Sequence, residues 1–214
     1  MKTDNFSFEL PEELIAQRPS EARGESRLMR LRRSDGLIRH HSIRNLPGLI
    51  PPGAVLVIND SKVRKARIYG ETAHGGRVEF LLLEQRGAGE WKALVSKTKR
   101  QKVGREYRFP GTVDGRPVHG IITGTENAYR LIRFSPAIDD EYLDAYGHIP
   151  LPPYIRREDT PEDEQRYQTV YAEATGSVAA PTAGLHLTDA LLNELESGGI
   201  EIVRITLHVG LGTF

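Results

Sequence analysis

Six runs decide the fold: Ala66-Arg67-Ile68-Tyr69, Arg77-Val78-Glu79-Phe80-Leu81-Leu82-Leu83, Trp91-Lys92-Ala93-Leu94-Val95-Ser96, Glu106-Tyr107-Arg108-Phe109, Val118-His119-Gly120-Ile121-Ile122-Thr123 and Tyr129-Arg130-Leu131-Ile132-Arg133-Phe134. Each is short and strand-like. Gly75-Gly76, Gly87-Ala88-Gly89, Asp114-Gly115 and Gly124 punctuate them. Regular short strands separated by glycine turns predict a small all-β barrel or sandwich.

Outside this block the pattern changes. Residues 11–17 predict a short helix, with Pro11 suited to its first turn and Glu12 and Glu13 to its positive end. Residues 27–31 alternate as a strand does and are closed by the turn Ser34-Asp35-Gly36. The run 54–58 is apolar on both faces, as a buried central strand is. After Pro136 the reading is helical at 139–146, at 162–171 and at 188–195, the last with Thr188 as N-cap and Gly198-Gly199 as stop. Residues 200–209 read as a strand with a buried face. The predicted architecture is α/β with an inserted all-β domain: a mixed-sheet α/β domain from 1–61 and 136–214, interrupted by a small β-barrel at 62–135. The chain stops on an apolar turn after a core-type strand, so a truncated chain is expected.

Formal charge is zero, which leaves no global field to draw the protein onto nucleic acid or membrane. The charge is polarised, however. Between Lys62 and Arg105 there are twelve Lys or Arg against four Glu, whereas nine acids face only Arg156 and Arg157 between Asp139 and Gln165. Such a molecule can bind RNA on one face without being basic overall. The absence of cysteine excludes disulfides, thiolate metal sites and a cysteine nucleophile. No apolar run approaches the ~20 residues that span a bilayer, and the polar N-terminus lacks a signal-peptide core. A soluble cytoplasmic protein is expected, without membrane partners, and nothing in the sequence demands more than a monomer.

The chemistry-bearing residues concentrate late in the chain. Arg166-Tyr167-Gln168-Thr169-Val170-Tyr171-Ala172 and Ala179-Ala180-Pro181-Thr182-Ala183-Gly184-Leu185-His186 crowd hydrogen-bonding groups into a segment with little apolar periodicity. Loops held by a scaffold are where binding and catalysis gather. Asn59-Asp60-Ser61 follows a strand at the end where α/β folds place ligands; it reads either as a site that orients a hydroxyl or as an Asx turn. Lys97-Thr98-Lys99-Arg100-Gln101-Lys102 suits phosphate contacts at a loop tip, or a solvated turn. Of seven histidines, His186 and His208 lie where a general base could act, and none shows metal-ligand spacing. Gly184, Gly210 and Gly212 offer backbone N–H groups and close approach to a ligand. No G-x-G-x-x-G follows a strand and no G-x-S-x-G is present, so neither a Rossmann site nor a hydrolase triad is predicted.

The words RYQTVYA (166–172), VAAPTAGLH (178–186), PLPPYI (150–155) and TLHVGLGTF (206–214) resemble those of the S-adenosylmethionine:tRNA ribosyltransferase-isomerase family of queuosine biosynthesis. LPEELIAQ (10–17), Ser26-Arg27-Leu28 and VLVINDSKV (55–63) extend the resemblance towards the N-terminus. Leu187 stands where that family usually has Phe, and family members continue well past the GLGTF word. The resemblance implies the two-part layout already described. It also implies that the ribosyl part of S-adenosylmethionine is moved onto 7-aminomethyl-7-deazaguanine at the tRNA wobble position, giving epoxyqueuosine with release of adenine and methionine. S-adenosylmethionine is then a substrate, and no metal is implied. A sulfonium acidifies the neighbouring C–H bonds, so the chemistry needs a base at C5′, hydrogen bonds to departing adenine, a hydroxyl-orienting group and exclusion of water.

On this reading His186, Asp60 and His208 are the catalytic candidates, with His186 as base or acid and Asp60 on a ribose hydroxyl. Asn59, Ser61, Tyr167, Gln168, Thr169, Thr182, Gly184, Gly210 and Gly212 position substrate, and Arg27 pairs with the methionine carboxylate through its planar fork. Lys97, Lys99, Arg100 and Lys102 contact tRNA phosphates. The alternative is a non-catalytic tRNA-binding chain without a complete active site.

Overall fold

The computed structural model describes residues 2–87 and 89–210. Strands β1 (Arg27–Leu31) and β2 (Ile38–Ser42) form an antiparallel hairpin, whose turn is tied by the Arg32–Asp35 ion pair and by the Leu37 N–H donating to Asp35. Then come β3 (Val55–Asn59) and β4 (Ser61–Val63), followed by six strands: β5 (Arg67–Glu71), β6 (Arg77–Gln85), β7 (Glu90–Val95), β8 (Glu106–Val113), β9 (Arg116–Glu126) and β10 (Tyr129–Ser135). These six close into an antiparallel barrel in the order β10-β7-β6-β5-β8-β9. Every one of the six runs quoted from the sequence lies within one barrel strand or overlaps it closely. The chain then returns through α1 (Asp140–Tyr146), α2 (Pro161–Arg166), β11 (Ala174–Ser177), α3 (Asp189–Ser197) and β12 (Glu201–Ile205). Strand β11 pairs parallel with β4, and β12 parallel with β3, so the second half of the chain builds onto the first across the barrel.

The barrel holds because alternate residues of its strands turn inward. Phe80, Trp91, Ala93, Val118, Ile122 and Ile132 are essentially inaccessible. Phe109 sits at the centre, edge-on to Phe80 at 5.4 Å and to Phe134 at 5.0 Å between ring centroids. Such pairs add about 0.5–1.5 kcal/mol beyond their burial. Room for that ring comes from Gly70 and Gly120, where an added Cβ would lie 2.8 Å from Phe109. A second core packs Leu191, Leu192 and Leu195 of α3 against Ile58, Ile43 and Ile200.

Four elements differ from their sequence expectation. Strand β3 is not buried on both faces. Ile58 is covered by α3, whereas Val55 and Val57 are 54% and 55% exposed, because among the described residues β12 is the one strand partner of β3 and no element lies over the second face. The predicted helix at 11–17 is only a 3-10 turn over Glu12–Leu14. The helix predicted at 162–171 stops at Arg166, where Tyr167 leaves helical geometry to bury its ring. The strand predicted at 200–209 ends at Ile205; side chains rather than a ladder tie the residues after it, as described below. Helix α3 matches its reading, with Thr188 Oγ1 accepting from Leu191 N at 3.1 Å and Gly198 at the stop. Among the described residues no helix is long and apolar enough to cross a membrane.

Candidate active site

Helix α2 opens with Thr160 as N-cap and Pro161 in its first turn. Its Asp163 carboxylate is buried and accepts from the Arg157 guanidinium at 2.6 and 2.8 Å, from Thr160 N at 2.8 Å and from Thr160 Oγ1 at 3.0 Å. The Arg157 hydrogen bond, opposed by burial, holds the Asp163 carboxyl below the usual range. Arg157 Nε also donates to Gln17 O at 2.8 Å. One turn on, Arg166 donates to Ser20 O and Glu21 O at 2.6 and 3.1 Å. From the opposite side Arg23 donates to Leu185 O and Gln165 O, both at 3.0 Å. Burial, followed by the neighbouring Arg166, pushes the Arg23 guanidinium pKa down. Three arginines thus lash the N-terminal segment 17–24 to α2 and to the loop 182–187.

Between these parts lies a cleft of about 280 Å³. Leu151, Ile155, Leu185 and Pro19 give it apolar walls, and Tyr154, Tyr167, Thr182 and His186 also line it. His186 Nδ1 is 3.0 Å from Ser26 Oγ, a contact that orients the imidazole and leaves Nε2 for another partner. Tyr167 is 8% exposed; its hydroxyl oxygen is closed off from solvent and faces the Ala180 backbone N–H without full hydrogen-bond geometry. Burial pushes its pKa up to about 12, so the phenol is a donor and not a base near neutral pH.

Of the residues singled out in the sequence, the cleft gathers Tyr167, Thr182 and His186. Gly184 lies just behind it, where any Cβ would collide with the Tyr171 hydroxyl and press on Thr169, itself buried with an unpartnered Oγ1. Gln168 points elsewhere: its amide accepts from Val63 N at 2.9 Å and donates to Val63 O at 2.8 Å. Arg27 stands on the exposed face of the β1–β2 hairpin, away from the cleft lining.

A second cluster forms at the end of β3. Asn59 donates to Leu207 O at 2.8 Å and accepts from Leu207 N at 3.0 Å and Ser61 N at 3.1 Å. Thr206 Oγ1 donates to Asp60 at 2.7 Å. Ser177 Oγ donates to the fully buried Ser61 Oγ and accepts from Val209 N, each at 2.8 Å. His208 packs its ring over Gly176. These side chains fasten segment 206–209 in place. None of them lines the cleft, although Glu173 N donates to Asp60 O and links the RYQTVYA segment to this cluster. Gly210 is exposed, and Gly212 lies outside the described residues.

The basic loop sits on the barrel. Lys97, Lys99, Arg100 and Lys102 are exposed, and none is within ion-pair distance of a described acid. The loop is held from beneath by buried Arg130, which donates to Gln101 O at 2.6 Å, Thr98 O at 2.7 Å and Tyr129 O at 2.9 Å. Among the described residues no group of three or more His, Cys, Asp or Glu could hold a metal ion.

Sequence reasoning did not see Arg23, and it gave no site role to Arg157, Arg166 or Ser26. A signal existed for Arg157, because a cation beside nine acids in 139–165 has an obvious partner to seek.

The family model described as queuosine biosynthesis protein matches residues 3–214. The chain belongs to that family. Among curated relatives, the S-adenosylmethionine:tRNA ribosyltransferase-isomerase of Treponema denticola is 47% identical over 217 residues. That of Caldanaerobacter subterraneus subsp. tengcongensis is 48% identical over 216 residues. Each alignment covers all of this chain and 62% of the relative, so the chain spans less than two thirds of their length. A solved structure, the S-adenosylmethionine tRNA ribosyltransferase of Thermotoga maritima, is 31% identical with a TM-score of 0.38, covering 96% of this chain and 58% of that one.

Proposed function

We propose that this chain carries the ribosyl-transfer and isomerisation chemistry named in its relatives. In that reaction the ribosyl moiety of S-adenosylmethionine passes to 7-aminomethyl-7-deazaguanine in tRNA, giving epoxyqueuosine-tRNA with release of adenine and methionine. One observation carries the reading: separate family words, around 16–26, 151–157 and 166–186, converge on one cleft lined by Tyr154, Thr182 and His186, whose Nδ1 is held by Ser26. In it His186, steadied by Ser26, is the base, and Thr182 positions substrate. Asp60, Asn59, Ser61, Gln168 and His208 act less directly, by fixing the segments around the cleft. The reading treats 62–135 as an RNA-facing insert in a domain made of 1–61 and 136–214, working as a monomer in the cytoplasm.

The test is to incubate the chain with S-adenosylmethionine and tRNA carrying 7-aminomethyl-7-deazaguanine, then measure adenine release and identify the nucleoside by mass spectrometry. Adenine with epoxyqueuosine supports the reading; tRNA binding without turnover favours the non-catalytic alternative. General acid–base groups contribute about 10²–10⁴-fold, so His186→Ala activity within about threefold of the parent removes the base assignment. The basic loop supports phosphate contact because its cations meet no acid among the described residues and the loop is held from beneath by Arg130. Replacing Lys97, Lys99, Arg100 and Lys102 with Ala should flatten the salt slope of tRNA affinity by about three, at roughly 0.7–0.9 per phosphate contact.

A further inference from the structure

We propose that buried Arg130 is a positioning residue for RNA: it holds the basic loop 96–105 in the shape that meets phosphates, without touching the RNA itself. This rests on the proposed contact between that loop and tRNA, and adds to it a residue that exposed charge alone would not select. Three observations lead to the assignment. The first is a charge without a counter-charge. Arg130 is 8% exposed, and among the described residues no carboxylate lies within ion-pair distance of it. Buried charges in proteins are ordinarily paired, because an unpaired one is costly to keep. Lys97, Lys99, Arg100 and Lys102 crowd above it, so like charges repel one another at this corner of the barrel until an anion arrives. The second is the direction of the loop's acceptors. Arg130 Nε donates to Gln101 O at 2.6 Å and Nη2 to Thr98 O at 2.7 Å. Gln101 Nε2 donates to Ser96 O at 3.2 Å, and the Tyr107 hydroxyl fixes that amide by donating to its oxygen at 2.6 Å. Arg105 donates to Arg100 O at 2.9 Å, and Arg100 N to Lys97 O at 2.8 Å. The carbonyls of residues 96–98, 100 and 101 are thus engaged by protein, which leaves ammonium and guanidinium donors on the exposed side. A phosphate oxygen, which only accepts, is their complement. The third is Lys97, which adopts left-handed backbone with φ 53°. A lysine stays in that conformation only where its surroundings over-determine it. Carbonyls on both sides of it, at Ser96 and Thr98, are pinned by Gln101 and Arg130. A loop set in advance by the fixed fork of a guanidinium avoids an ordering cost when it binds.

The experiment is filter binding of an unmodified tRNA transcript, at fixed salt, to four chains. These are the parent, Arg130→Met, the chain with Lys97, Lys99, Arg100 and Lys102 replaced by Ala, and the two changes combined. As assigned, Arg130→Met binds about tenfold more weakly, roughly the worth of one charge-assisted hydrogen bond. In the alanine background the same substitution changes affinity by less than about twofold, because no loop charge is left to position. A defect in the fold at large would weaken both backgrounds alike. Arg130→Lys keeps the charge and loses the fork, so it binds as Arg130→Met does; parent affinity in the lysine variant would make the effect one of charge and overturn positioning. Removing a buried guanidinium can unsettle the barrel, so Tyr107→Phe is measured alongside. It keeps the ring in the core and frees only the Gln101 amide. It should weaken binding about threefold while lowering the melting temperature by no more than about 4 °C. Parent affinity in a folded Arg130→Met, equal losses in both backgrounds, or parent affinity in Tyr107→Phe overturns the assignment. Binding is read without turnover, and the two readings fail separately. Weak binding by the alanine chain with full binding by Arg130→Met keeps the phosphate contact and loses the positioning residue. Full binding by the alanine chain removes the phosphate contact, and the positioning with it.

Discussion

The barrel and the cleft are held by opposite means. In the barrel, contact between apolar rings decides the structure, and a buried polar residue, Arg130, anchors a loop from inside. Around the cleft a small apolar cluster with Leu151, Ile155, Leu185 and Tyr167 is framed by three arginines that reach to backbone carbonyls and one buried carboxylate. The first kind of cohesion is non-directional and tolerates small shifts. The second fixes angles, since a planar guanidinium with two acceptors permits few orientations. A site that must hold a base and a substrate in register gains more from the second.

That contrast can be broken in order of expected effect. Phe109→Ala leaves a cavity between Phe80 and Phe134 and should cost about 3–5 kcal/mol in denaturant unfolding, with hydrogen exchange accelerated in β5–β10. Asp163→Ala strands the Arg157 guanidinium. Removing one partner of a buried pair costs about 3–5 kcal/mol, and the partly exposed Arg157 places this at the low end. Its exchange signature should appear in segment 17–24 and α2 while the barrel stays protected; uniform loss of protection would mean that the two regions are one cooperative unit. Acid sharpens the same point. The Asp163 carboxyl is held below its unfolded value near 3.9, so its contribution is complete above that pH and is lost as pH falls through the folded value. Parent and Asp163→Asn stabilities should therefore converge below about pH 4, measured by urea unfolding across the acid range. The smallest effect is Thr188→Ala, about 1 kcal/mol from the lost α3 cap, with both regions intact.

The same contrast explains what could be read beforehand. All six barrel strands were legible, because inward-facing residues such as Phe80, Leu82, Trp91, Ala93 and Val95 leave local patterns bounded by glycine turns. Thr188 and Gly198-Gly199 were legible as local chemistry at helix ends. Tyr167, Thr182 and His186 were visible as polar groups without periodicity. The arginine ties were not, because Arg23 meets Leu185 across 162 residues and Arg166 meets Ser20 across 146, and a carbonyl acceptor carries no side-chain signature. Asn59 and Gln168 looked like ligand groups for the same reason. An amide that binds backbone and one that binds substrate are identical in sequence.

Gln168 has one more consequence. Strand β4 pairs with β11 along one edge, and at Val63 the outward N–H and C=O are both taken by a single side-chain amide. A third strand would make the same two bonds. Gln168 is thus a one-residue counterfeit of a neighbouring strand, satisfying both backbone groups of a residue buried with Ile149, Leu151 and Tyr167, where no water could do so.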